Sequence, residues 1–502
     1  MKIKELFRDL DIKLSQEEFR ELDISGITAN SQQVKPGDLF IAKRGRSYPA
    51  EAFLSQALQA GARAVLSEEP LLLTGEENAA FIFCHDIKET EKRILAKFYQ
   101  DPSQKMFLAG ITGTSGKTTT AILSQSILEL GGFSCGLIGT LGCFFGKKHI
   151  YTGLTTPDAS SSQRLLHEML QQKIKSAVME VSSHALVQER TSLIDFDVAV
   201  FTNISHEHLD YHGSMENYFR AKSLLFENLK AHKISLVNAD DPYSQRIKQR
   251  TRSQIFTFGI QNKADIRAED LQMNLFGSSF TVHFQGKKER FFIPLVGLFN
   301  VYNILAAVGV GLAKGMELEE IAAISQNCPV IPGRLEKVGR NNYDEGPAVF
   351  VDYAHKPEAL QQVLALLCSH KSGRLITVFG CGGERDKEKR PLMAKIAERH
   401  SDMVIVTSDN PRKEDLGSII ADIAAGFVYD RHAIEKDRRE AISLAMDLAK
   451  PEDIILIAGK GHETQQIFAD RAVSFDDRKI AEELLQMKRN RKKKEKNFSR
   501  NF

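Results

Sequence analysis

The 502-residue chain has no tryptophan, and it has only 14 prolines and six cysteines. The cysteines (Cys84, Cys135, Cys143, Cys328, Cys368 and Cys381) form no CxxC pair and show no zinc spacing. That excludes a disulfide framework or a zinc ribbon and leaves reduced core or loop thiols of a cytosolic protein. Neither charge sign is in excess: 67 Lys and Arg against 65 Asp and Glu leave a net charge of +2, which argues against a dedicated nucleic-acid surface. The start, Met1-Lys-Ile-Lys-Glu-Leu, lacks the apolar core of a secretory signal. One run, Phe291 to Ala313, is apolar enough to imitate a membrane span. Pro294, Asn300, Asn303 and three glycines interrupt it, so a buried loop and helix is expected there, with no membrane partner. At 42% hydrophobic and 26% charged residues the rest is ordinary globular composition, with length for about three domains.

The most informative stretch runs from Met106 through Ala109-Gly110-Ile111-Thr112 into Gly113-Thr114-Ser115-Gly116-Lys117-Thr118-Thr119-Thr120. It reads as strand, phosphate loop and helix. Glycines let backbone N–H groups curl round phosphate oxygens, the helix N-terminus adds positive potential, Lys117 can reach the terminal phosphates, and Thr118 is the natural Mg²⁺ hydroxyl. The general Walker pattern places a glycine where this chain has Ile111, but the tighter form from Gly113 to Thr119 is complete.

Before the loop, short β-rich runs alternate with helical patterns. Val34-Lys-Pro-Gly-Asp38 turns into an apolar strand, and Glu89 to Gln104 reads as a polar amphipathic helix acting as a linker. After it, strands alternate with helices as a mostly parallel sheet requires. Two of those strands end in polar residues, Ser176 to Glu180-Val-Ser182-Ser183-His184 and Asp197 to Asn203-Ile-Ser-His206-Glu207-His208. Ligands of open α/β sheets gather at carboxyl strand ends, which puts Glu180 and His208 where metal would be held beside a phosphate loop. Lys222 sits in an amphipathic helix and, taken alone, reads as a snorkelling side chain. Asn300 and Asn303 stand one helical turn apart, suited to an adenine edge or to helix capping.

Composition resets after Pro332-Gly333-Arg334, and four further strand patterns follow. Their carboxyl ends display Arg385, Asp409, Asn410, Arg412 and Glu463, a set suited to a zwitterion. Arginines pair with carboxylates in bidentate fashion, and Glu463 can receive an ammonium. From Lys488 to Lys496, seven of nine residues are Lys or Arg, which reads as a disordered solvated tail.

In combination, Gly113-Thr-Ser-Gly-Lys-Thr-Thr119, Glu180-Val-Ser-Ser-His184, Asn203 to His212, Asn238-Ala-Asp-Asp-Pro242, Pro332-Gly-Arg334, Asp352-Tyr-Ala-His355 and Asp409-Asn-Pro-Arg412 resemble the Mur ligases, and among them the MurE branch. The resemblance runs in order from about Ser31 to Arg478. It implies an α/β, three-domain Mur ligase: a UDP-substrate-binding domain over residues 1–104, a P-loop-type central ATPase domain over 105–330, a Rossmann-like amino-acid-binding domain over 331–487 and a basic tail over 488–502. The implied activity is ATP-dependent addition of meso-diaminopimelate to UDP-N-acetylmuramoyl-L-alanyl-D-glutamate, by a monomer, in cytoplasmic peptidoglycan precursor synthesis.

Site residues follow from the same resemblance. Ser31 would touch the UDP moiety, and Thr155, Thr156, Ser182, Gln188 and Arg190 the muramyl dipeptide. Gly113 to Thr119, Asn300, Arg334, Asp352 and His355 would bind ATP. Thr118, Glu180, His208 and Lys222 would serve Mg²⁺, with Lys222 carried as a CO₂-derived carbamate, and Lys117, Lys222 and His208 would be catalytic. Arg385, Asp409, Asn410, Pro411, Arg412, Gly459 and Glu463 would hold diaminopimelate, since Asp-Asn-Pro-Arg is the form found in relatives that use it. The chain departs from the family pattern at Asn30-Ser31-Gln32, where Asp-Ser-Arg is usual, and within Gly45 to Phe53, where Asp-Gly-His is usual. Folylpolyglutamate synthetases would share the ATPase core but would not explain the N-terminal segment or Asp409 to Arg412.

Overall fold

The computed structural model describes residues 1–43, 53–69, 79–339 and 346–498, with side chains to residue 490. The chain divides into two compact units. One comprises residues 1–271, 279–292 and 298–328, the other 272–278, 293–297 and 329–502.

The first unit opens with a five-stranded sheet of β1 (Ile12–Leu14), β2 (Gly26–Thr28), β3 (Asp38–Ile41), β4 (Ala64–Ser67) and β5 (Ala80–Cys84), in the order β1-β5-β4-β3-β2. β3 and β4 are buried along their whole length, as parallel strands covered on both faces are, the polar Asp38 and Ser67 at their ends included. The helix Ile87–Tyr99 covers this sheet. Asp86 caps it by accepting from the Glu89 N–H at 2.9 Å, and Ile94, Leu95 and Tyr99 enter the core. The expected linker over 89–104 is therefore a packed layer of the fold. Its polar face dominates the composition, but the apolar stripe at helical spacing decides its placement. This layer also joins the next one directly: Ser160 Oγ accepts from the Ala29 N–H at 3.3 Å, and Ser161 and Arg164 both donate to Gln33 Oε1.

The next sheet holds eleven strands: β6 (Phe107–Thr112), β7 (Cys135–Gly139), β8 (Gly142–Phe145), β9 (Lys148–Ile150), β10 (Ser176–Glu180), β11 (Val198–Phe201), β12 (Ile234–Asn238), β13 (Gln254–Gly259), β14 (Ile266–Asn274), β15 (Gly277–Phe284) and β16 (Lys287–Ile293). Their order is β16-β15-β14-β13-β12-β11-β6-β10-β7-β8-β9. The central run from β13 to β7 is parallel. β6 lies at its middle, flanked by β10 and β11, so the loop after β6 sits between the two polar strand ends singled out above. The apolar run near residue 300 becomes the helix Leu298–Ala313, buried against the helix Lys117–Leu130. Among the described residues no helix is long and apolar enough to cross a membrane.

The second unit is built on β17 (Glu336–Val338), β18 (Ala348–Asp352), β19 (Leu375–Phe379), β20 (Met403–Val406), β21 (His432–Ile434) and β22 (Ile454–Ala458), ordered β17-β18-β22-β19-β20-β21. All pairs are parallel except the β17 edge. The helices Arg438–Leu448 and Asp477–Phe498 share one core with the strands, and alternate strand residues facing the other way are equally buried. Asp477–Phe498 differs from the expected disordered tail. No glycine or proline occurs in it, and strong helix formers continue a turn nucleated by the buried Ile480, Ala481 and Leu485. Charge density alone suggested disorder; anchoring of the first turns overrides it.

Candidate functional site

The phosphate loop is held by neighbouring segments as well as by its own lysine. Thr114 N–H donates to the Asn203 carbonyl at 2.9 Å, and Ser115 N–H to Asn203 Oδ1 at 2.9 Å. A Cβ at Gly116, which has φ +85°, would meet Asn303 Oδ1 at 2.4 Å, so this turn needs glycine on both counts. Asn303 accepts from Thr120 Oγ1 and donates to Asn300 Oδ1 at 3.1 Å. The two amides thus brace the loop's helix from the buried helix, and Asn300 lies inside the first turn of that helix rather than at its cap.

Lys117 Nζ donates to the Gly113 and Thr114 carbonyls at 2.8 and 2.9 Å. Lys222 Nζ shares the Gly113 carbonyl at 2.7 Å and stands 4.5 Å from the centre of the Tyr218 ring. It is 1% exposed, so the snorkelling reading of Lys222 is corrected: the residue is on the buried face of the helix Met215–Glu227. Burial first, and the Lys117 charge second, push its pKa well below the ordinary lysine value. An amine in that state has the lone pair that reacts with CO₂.

On the other side of the loop, Thr118 Oγ1 donates to Glu180 Oε2 at 2.9 Å. Glu180, 1% exposed at the end of β10, also accepts from the Thr140 N–H at 2.8 Å and the Thr140 hydroxyl at 3.1 Å. Thr140 meets Thr155 at 3.1 Å between hydroxyls. Thr156 donates to the Glu180 carbonyl at 2.8 Å and accepts from the Ser182 N–H, while Arg190 holds the Thr156 carbonyl at 2.9 Å and Gln188 at 2.6 Å. The five residues assigned to the muramyl peptide therefore form one connected network running out of the Glu180 site. Ser31 lies in the N-terminal layer, where its hydroxyl donates to Gln56 at 2.7 Å. Residues 45–52 lie outside the described residues.

His208 adopts φ +55° before the short helix Leu209–His212; its ring stands 4.9 Å from that of His184, and its Nε2 lies 3.2 Å from Glu207. Burial, then Lys117 and Lys222, lower its pKa and so favour the neutral ring. Among the described residues no three His, Cys, Asp or Glu side chains converge as metal ligands. Thr118 and Glu180 are nevertheless hard-oxygen donors in contact at the phosphate loop. That suits Mg²⁺, which takes one or two protein oxygens and fills its shell with water and phosphate.

In the second unit, Arg334, Asp352 and His355 come together around Tyr353. The Arg334 guanidinium lies 4.9 Å from the Tyr353 ring centre, and the rings of Tyr353 and His355 are 4.5 Å apart. Asp352 accepts from the N–H groups of Leu335 at 2.5 Å and Ala354 at 2.7 Å; burial outweighs these bonds and Arg334, raising its pKa to about 6. A Cβ at Gly333 would lie 2.1 Å from the His462 nitrogen, which fixes Pro332-Gly-Arg334 against the loop after β22.

That loop also faces the predicted zwitterion cluster. Asn410 Nδ2 donates to Glu463 Oε2 at 2.7 Å, and a Cβ at Gly459 would meet Asp409 Oδ2 at 2.7 Å. Arg412 Nη1 donates to the Gly383 carbonyl at 2.9 Å. The bare backbone of Gly382 admits Arg412 Nη1 at 3.0 Å and Arg385 Cγ at 3.8 Å from where a Cβ would be, while the Pro411 carbonyl packs on Gly383. All seven residues of the set gather at the carboxyl ends of β19, β20 and β22. Two residues that sequence reasoning passed over belong here. Lys460, fully buried, binds Asn410 and Glu463, and Arg438 binds the carbonyls of Ser408 and Ala458. Lys460 had a visible signal, its position between two glycines at a strand end; Arg438 had none.

A phosphate loop on a parallel sheet, joined in one chain to a second α/β unit whose strand ends carry both charge signs, defines a nucleotide-dependent α/β enzyme. The sequence matches the Mur ligase middle domain over residues 111–311 and the Mur ligase glutamate ligase domain over 333–461. Two relatives named UDP-N-acetylmuramoyl-L-alanyl-D-glutamate--2,6-diaminopimelate ligase are similar along nearly the whole length. That of Syntrophomonas wolfei is 41% identical over 97% of this chain and 100% of its own, and that of Clostridium botulinum 37% over 97% and 99%. A solved structure of a ligase of the same name superposes with a TM-score of 0.68 at 34% identity, over 97% of this chain and 99% of its own. The chain belongs to the Mur ligase family, in its diaminopimelate-adding MurE branch.

Proposed function

We propose that this chain joins meso-diaminopimelate to UDP-N-acetylmuramoyl-L-alanyl-D-glutamate at the expense of ATP, as a monomer in cytoplasmic peptidoglycan precursor synthesis. The observation that carries the reading is the coexistence of the Gly113–Thr119 loop with the strand-end set Arg385, Asp409, Asn410, Arg412 and Glu463 in a chain related over nearly its whole length to enzymes of that name.

A carboxylate is a poor electrophile. The terminal phosphoryl group of ATP is transferred to the D-glutamyl carboxylate; the resulting acyl phosphate is attacked by an amine, and phosphate leaves from the tetrahedral adduct as the amide forms. Loop N–H groups and Lys117 hold the phosphates, the ammonium exchanging the Gly113 and Thr114 carbonyls for phosphate oxygens. Thr118 and Glu180 are the residues that would hold Mg²⁺, which when bound neutralises charge gathering on the phosphate oxygens. Lys222, with its depressed pKa, is the residue that would take up CO₂; the carbamate would convert a buried amine beside Lys117 into an anion. Thr155, Thr156, Ser182, Gln188 and Arg190 orient the muramyl dipeptide, and Ser31 the uridine end. Arg412 and Arg385 pair with the carboxylates of diaminopimelate while Glu463 accepts an ammonium. Most of the acceleration comes from alignment of reactants, since no side-chain nucleophile is required.

A panel of amino acids offered with ATP and UDP-N-acetylmuramoyl-L-alanyl-D-glutamate tests this. Phosphate release and a new amide product are expected with meso-diaminopimelate and not without the nucleotide-sugar peptide. ATP hydrolysis independent of both co-substrates would refute it.

A further inference from the structure

We propose that Lys460 is a positioning residue that sets the charge and orientation of the amino-acid pocket, and with them its preference for a ligand whose distal end is a zwitterion over one whose distal end is an ammonium alone. The proposal rests on the reading of that pocket as the diaminopimelate site. Lys460 follows β22 between Gly459 and Gly461, both at positive φ, and its side chain is 0% exposed. Its Nζ donates to Asn410 Oδ1 at 2.9 Å, Glu463 Oε2 at 3.0 Å and the Gln465 carbonyl at 2.7 Å. An ammonium has three N–H groups, and all three are used inside the protein. Lys460 therefore acts through its partners and not by touching the ligand.

Two consequences follow from that geometry. Asn410 Oδ1 receives both the Lys460 ammonium and the Ile467 N–H at 3.0 Å, so a flipped amide would set its NH₂ against two donors. The amide is locked with Nδ2 toward Glu463. Glu463 Oε2 is then occupied by two donors, which leaves Oε1 for a ligand ammonium. The pocket set carries Lys460, Arg412 and Arg385 against Asp409 and Glu463, one positive charge in excess. A distal zwitterion adds no net charge to this set, whereas lysine adds one positive charge and leaves Arg412 without its carboxylate. Removing the Lys460 charge takes that positive excess away, which eases entry of the extra cation and weakens the hold on the carboxylate.

Steady-state kinetics of Lys460→Met and Lys460→Gln against meso-diaminopimelate and L-lysine test the assignment. Methionine keeps the volume and loses charge and donors; glutamine keeps one donor for Asn410, and it carries the test should the methionine variant fail to fold. In Lys460→Met, KM for diaminopimelate is expected to rise by about tenfold or more, with KM for ATP and the nucleotide-sugar peptide within about twofold of wild type. The diaminopimelate-to-lysine ratio of kcat/KM is expected to fall by about tenfold, with Lys460→Gln between Lys460→Met and wild type. A wild-type preference that survives unchanged in both variants, or an equal rise in KM for all three substrates, overturns the proposal while the function stands. A wild-type enzyme without preference for diaminopimelate overturns the functional reading and this proposal with it.

Discussion

Replacing Arg438 with methionine should destabilise the second unit more than any other single change outside its apolar core. The guanidinium and the Asp477 carboxylate are both 0% exposed and meet in a fork, at 2.8 Å from Nε and 2.7 Å from Nη2. The same group donates to the carbonyls of Ser408 at 3.1 Å and Ala458 at 3.0 Å. Methionine fills most of the volume but leaves a buried carboxylate without its counter-charge and two carbonyls without donors. Breaking a buried pair in this way costs about 3–5 kcal/mol, roughly three decades in the folding equilibrium at the middle of that range. Urea unfolding followed by far-UV circular dichroism measures it, since the chain has no tryptophan to report by fluorescence. Arg438→Met/Asp477→Leu should recover part of the loss because no lone charge remains. Function should suffer separately. Ser408 and Ala458 immediately precede Asp409 and Gly459, so the freed strand ends should raise KM for diaminopimelate in the variant even where it is folded. A loss below about 1 kcal/mol, or a double variant less stable than Arg438→Met, would refute the reasoning.

Lys222→Ala should lose nearly all turnover and regain part of it with added short-chain carboxylic acids, which replace the carbamate; an alanine variant of full activity would rule the carbamate out. Arg412→Ala should collapse the preference for meso-diaminopimelate over L-lysine, a discrimination of up to several orders of magnitude, measured as the ratio of kcat/KM. Asp352 gives a pH signature in stability. Its folded pKa, raised to about 6, lies above that of the unfolded chain, so its contribution is complete below the unfolded value and is lost as pH rises through about 6. Asp352→Asn should therefore gain on wild type between pH 4 and 7, by about 3 kcal/mol at most, and thermal unfolding across that range reads the gap. A gap that does not change with pH would show that Asp352 does not titrate there.

Much of the site was legible in the sequence because its chemistry is local. The phosphate loop is a run of adjacent residues whose backbone and lysine act together, and the polar ends of β10, β11, β19, β20 and β22 announce themselves wherever an apolar run stops at charged residues. Strand type and parallel pairing followed from alternation with helices; the edge strand β21, three residues long, carried no such pattern. What the sequence could not decide is which side chains lose water. Lys222 and Lys460 are each one lysine among many in composition. Only packing from distant segments turns the first into a buried amine on the Gly113 carbonyl and the second into the ammonium that orients Asn410, 50 residues away. Arg438 ties two strand ends to the first residue of the helix that starts at residue 477, contacts set by sheet order and not by spacing. Burial is a property of the assembled layers, and the energies of charges depend on it steeply, so the surroundings of these three basic residues were decided only by the tertiary structure.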